Sequence, residues 1–171
     1  AERIVLLQHA IDSITSTFYT QVLFADFELQ AHRLVESDQP VTAEVLNGVY
    51  RGLLDAYYGD VIDREEISQV TWARIPHFFA TPYYVYQYAT CFASTARLMQ
   101  GIRSTDPRER AGAVDRYLGL LRAGGSNYPM RLLQEAGVDL SQPDTVRAVA
   151  AELDMLVGRL EAELLPGLTP A

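Results

Sequence analysis

The stretch HFFATPYYVYQYAT, His77 to Thr90, places one histidine and four tyrosines around a Thr-Pro pair. Phenols stay protonated at pH 7, with an ordinary pKa of about 10, and a neutral imidazole also donates one hydrogen bond. A row of such donors can hold a carbonyl oxygen or stabilise an oxyanion. A helix capped by Thr81 and opened by Pro82 would turn Tyr84, Tyr88, Cys91, Phe92, Thr95 and Met99 toward a core. Tyr83, Tyr86, Gln87 and Thr90 would then face the other way, where phenol hydroxyls need water or a ligand. Pro76 and Pro82 stiffen the stretch on either side of His77 and would hold its imidazole beside Tyr83 and Tyr86. The candidate donors are therefore His77, Tyr83 and Tyr86, with Tyr84 exchanging for Tyr83 under a small rotation of the helix. Arg74 could bind a substrate backbone or carboxylate, or simply pair with an acidic neighbour. The same residue types equally describe half-buried packing, with His77 bonded to a backbone carbonyl.

The elements that must position these residues read as helices. Apolar positions at helical spacing run from Ile4 to Leu34 with neither proline nor glycine before Pro40, which predicts one long helix. Thr42 caps a second, stopped after Tyr58 by Gly59. Asp63 and Glu66 resemble a capping box for a short helix carrying Ile67 and Val70. Pro76 keeps Ile75 from continuing it cleanly. The tyrosine helix should last to about Gly101. Asp106-Pro107 opens the next, which ends at Gly124-Gly125, and helices over 129–136 and 143–164 complete the pattern. Phe24 and Phe27 should pack inward, with Asp26 and Glu28 on a solvated or cleft-lining face. Glu28 and His32, one turn apart, read as an exposed pair rather than a metal site. No period-two strand or internal repeat is visible, so the class is all-α: a multi-helix bundle forming one helical domain over 1–171.

Composition removes several function classes. Net charge is −8 and every basic residue is arginine, so broad attraction to nucleic acid or an anionic membrane is not expected. Apolar runs are too short to span a bilayer. Cys91 is the single cysteine, which excludes an intrachain disulfide and fits a reducing compartment, the cytoplasm. The chain enters a helical pattern almost at its first residue, without a leader, as a fragment would. Within that first helix, Ile4, Val5, Leu6 and Leu7 form a continuous apolar run that one core cannot cover, and self-association as a two-fold homodimer is expected.

Three blocks in order carry a resemblance: TFYTQVLFADFE (Thr17 to Glu28), WARIPHFFATPYYVYQYAT (Trp72 to Thr90) and AGGSNYPMRLLQEAGVDL (Ala123 to Leu140). Together they look like the C-terminal part of oligoendopeptidase F, a zinc peptidase of the thimet oligopeptidase class. The resemblance implies hydrolysis of short peptides by a helical catalytic domain. That family binds zinc through H-E-x-x-H and a later glutamate, and this sequence contains no such motif. The family's zinc helices precede the first block, so zinc is expected in the full-length enzyme and not in this chain, which alone would be inactive. By the same resemblance, His77 matches the histidine after the family's Ile-Pro pair, a donor to the substrate carbonyl or tetrahedral oxyanion. Tyr83 and Tyr86 match the tyrosines facing zinc across the cleft. The alternative is a non-catalytic helical module that binds peptides or a protein partner.

Overall fold

The computed structural model describes residues 2–60 and 66–165, and all its regular elements there are helical. The first long helix forms as expected but is not uniform. It comprises α1 (Glu2–Ser13), a π-helical segment over Ile14–Tyr19, and α2 (Thr20–Glu36). β-Branched Ile14, Thr15 and Thr17 crowd the preceding turn there. The Thr20 hydroxyl donates back five residues to the Thr15 carbonyl at 3.2 Å, in register with the wider turn.

Helix α3 (Ala43–Tyr58) starts where Thr42 Oγ1 accepts the Val45 N–H at 3.3 Å. It stops at Gly59, whose φ of 57° and ψ of −134° suit a residue without Cβ. Asp63 of the expected capping box lies outside the described residues. The segment after it is a 3₁₀ helix, Glu66–Arg74, rather than an α-helix. Pro76 then begins a single turn, α4 (His77–Ala80).

The largest departure follows. Thr81 and Pro82 do not open the tyrosine helix, because Tyr83 adopts a left-handed φ of 59° and breaks the path. Helix α5 begins only at Tyr86 and runs to Ile102. Beyond it, Asp106 Oδ1 accepts the Arg108 N–H at 2.8 Å and caps α6 (Pro107–Ala123). Helices α7 (Pro129–Glu135) and α8 (Pro143–Leu164) complete the chain as expected.

Contacts divide the chain into two compact units. One comprises Thr15–Ala89, and the other comprises Ala1–Ile14 with Thr90–Ala171. In the second, α1 packs on α8 and α6 on α7 around Leu7, Ala93, Ala113, Leu132 and Val149. In the first, α2 supplies Leu23, Phe24 and Phe27 to a core shared with Tyr50, Leu53 and Val85. Trp72 and Phe78 close that core by ring contact, Phe27 lying 5.8 Å from Trp72 and 5.2 Å from Phe78. Trp72 is further tied by its indole N–H, which donates to Asn47 Oδ1 at 2.8 Å.

Candidate functional site

All four tyrosines of the opening stretch are exposed on the Thr15–Ala89 unit. Val85, between them, and Ala89, directly after Tyr88, are buried and anchor the segment instead. The expected division, with Tyr84, Tyr88 and Cys91 toward a core, is therefore corrected. It assumed a helix from Pro82, and the real helix starts four residues later in a different phase.

His77 is placed differently from the expectation too. Its ring lies parallel to Tyr84, 5.4 Å between centroids and 8° between planes, and edge-on to Tyr88 at 6.2 Å. Tyr84 and Tyr88 meet edge to face at 5.5 Å. The three rings form one cluster in which Tyr84 and Tyr88 are exposed and His77 is half-buried. The Tyr88 phenol is pushed up from its ordinary value, first by loss of solvent and then by the charge and hydrogen bond of Tyr84. At neutral pH it is a donor.

Tyr83 belongs to a second cluster. Its ring packs on His32 at 4.6 Å, and its backbone N–H donates to Glu28 Oε1 at 2.7 Å. Glu28 is only 4% exposed, so of the expected solvated or cleft-lining face only the cleft-lining half holds for it, and the exposed Glu28–His32 pair is corrected. The signal was present in the spacing: Glu28 follows Phe24 by four residues and Phe27 by one, which puts it on the buried face of α2. The His32 ring is itself fixed, with Nδ1 at 2.7 Å from the Glu28 carbonyl oxygen. A carbonyl only accepts, so the proton sits on Nδ1.

Tyr86, at the first position of α5, is half exposed. Arg74 is exposed at the end of the 3₁₀ helix, and its positive charge acts on the buried Tyr50 phenol. A cavity of about 180 Å³ opens beside His32 and Glu28, walled by Phe27, Trp72, Phe78 and Phe79. Its size and aromatic walls suit an apolar side chain. Among the described residues, no group of three His, Cys, Asp or Glu side chains is placed to hold a metal ion. The donor set of a zinc site is thus not assembled from them. No helix among them is long and apolar enough to cross a membrane.

The model of peptidase family M3 matches residues 1–151. Oligopeptidase PepF of Bacillus subtilis is 37% identical over 166 residues, covering 96% of this chain and 24% of that protein. An oligoendopeptidase F homolog of Borreliella burgdorferi is 39% identical over 136 residues, 80% of this chain and 22% of that protein. The crystal structure of oligoendopeptidase-F from Enterococcus faecium superposes with a TM-score of 0.86 at 33% identity, covering 93% of this chain and 30% of that one. The chain thus spans about a quarter of the length of these relatives. Match extent and identity together place it in one family: the chain belongs to peptidase family M3.

Proposed function

We propose that this chain is the C-terminal portion of an oligoendopeptidase that hydrolyses short peptides, and that it supplies the substrate-facing donors of the active site. The observation that carries this reading is the ring cluster of a half-buried His77 with the exposed Tyr84 and Tyr88. Tyr83 and Tyr86 add two further half-exposed phenols in the same unit. Neutral donors suit an oxygen on which negative charge develops, because they stabilise the anion without holding a counter-charge in the resting site. His77 and Tyr86 are assigned to that oxygen, with Tyr83 as a further donor held in the separate Glu28–His32 cluster and Tyr84 orienting His77 and the peptide. Arg74 offers a guanidinium to a peptide carboxylate, and the aromatic cavity takes an apolar side chain of the substrate.

Zinc, on this reading, is bound by parts of the whole protein other than this chain, and supplies Lewis-acid and water-activating chemistry there. The residues of this chain bind, orient and donate. The whole protein acts in the cytoplasm, where Cys91 stays reduced. The isolated chain pairs with a second copy through the uncovered face of α1.

Hydrolysis of short peptides by the whole protein tests the assignment. Tyr86→Phe removes one donor and leaves the ring, so kcat should fall on the order of a hundredfold with a smaller change in KM. Wild-type kcat in that variant would return Tyr86 to packing.

A further inference from the structure

Tyr83 is one of two non-glycine residues with positive φ among the described residues, and it interrupts what its sequence would make a helix. Such a conformation persists only where its surroundings hold it. The surroundings here are specific. Glu28, buried on α2 and 55 positions earlier, accepts the Tyr83 N–H at 2.7 Å, while the His32 ring covers Tyr83 at 4.6 Å. Two residues on, Val85 is buried in the Leu23–Phe24–Phe27 core. Tyr84 lies between these two fixed points, and it is the residue stacked on His77.

We infer that Glu28 is a positioning residue: by holding the Tyr83 peptide in its left-handed turn, it sets the direction of Tyr84 and thereby of the His77 donor. This rests on the peptidase reading above. Were the bond absent, Thr81 to Val85 could relax toward the helix that its residues favour, and Tyr84 would swing away from His77. A buried carboxylate spent on a backbone N–H near an exposed donor cluster is otherwise a costly way to fill a core position. The role requires an acceptor of this reach, not a negative charge, which separates Glu28→Gln from Glu28→Ala.

The test uses the whole protein with two readouts. Hydrogen exchange, followed by mass spectrometry on a peptide covering Thr81 to Val85, should be at least roughly tenfold faster in Glu28→Ala, while exchange in α2 stays slow and shows that the fold persists. In the same variant kcat should fall on the order of tenfold to a hundredfold, with KM within about twofold. Glu28→Gln should recover most of both. Wild-type exchange at Thr81 to Val85 in Glu28→Ala, or faster exchange with wild-type kcat, would overturn the inference. His77→Ala separates the two claims. If it is impaired and Glu28→Ala is not, the positioning role alone falls; if neither is impaired, the peptidase assignment falls with it.

Discussion

Tyr50 shows how a phenol differs when the core takes it in. It is 3% exposed, in ring contact with Phe24 and Phe27, and burial pushes its pKa from 10.0 up to about 12, with Tyr58 adding to the rise and Arg74 opposing it. Because the folded value lies above the unfolded one, the neutral phenol's contribution is fully present below pH 10 and lost as pH climbs through about 12. Stability should therefore fall by ~2 kcal/mol across that window, and Tyr50→Phe should flatten the fall in denaturant titrations at pH 9 to 12. The exposure of Tyr83 and Tyr86 was legible in the sequence, whereas that of Tyr84 and Tyr88, expected in a core, was not. Their grouping was not legible either. Which phenol meets His77 depends on the φ of Tyr83, and that depends on a carboxylate on another helix, a long-range bond that no local pattern announces.

Helix ends were the most legible part of the fold, because a cap is a local event. Thr42, Asp106, Gly59 and Gly124 act where the sequence places them. Thr42→Ala should cost ~1 kcal/mol in chemical denaturation through loss of the Val45 N–H bond. The π segment and the late start of α5 were hidden for a different reason: both are compromises between local preference and packing elsewhere. Helix crossings escape a one-dimensional reading as well. Gly101 on α5 meets Ala113 on α6 so closely that an added Cβ would lie 2.9 Å from the alanine Cβ. Gly101→Val should destabilise by ~1–3 kcal/mol, and Ala113→Gly in the same chain should recover part of that, measured as a double-mutant cycle.

At the scale of the molecule, α1 carries the clearest unpaired surface. Leu7 is buried, but Val5 and Leu6 are 63% and 69% exposed, so the apolar run does exceed what one core covers. Light scattering on the isolated chain should report a dimer at micromolar concentration, and Val5→Glu with Leu6→Glu should return it to a monomer. A monomeric wild-type chain would contradict the proposed pairing. The central claim, that this family M3 chain carries transition-state donors for peptide hydrolysis, is tested most directly by steady-state kinetics of His77→Ala in the whole protein. The expected result is a kcat lower by on the order of a hundredfold with KM little changed, because the donor serves charge that develops during reaction. A wild-type kcat, or a loss confined to KM, would contradict it.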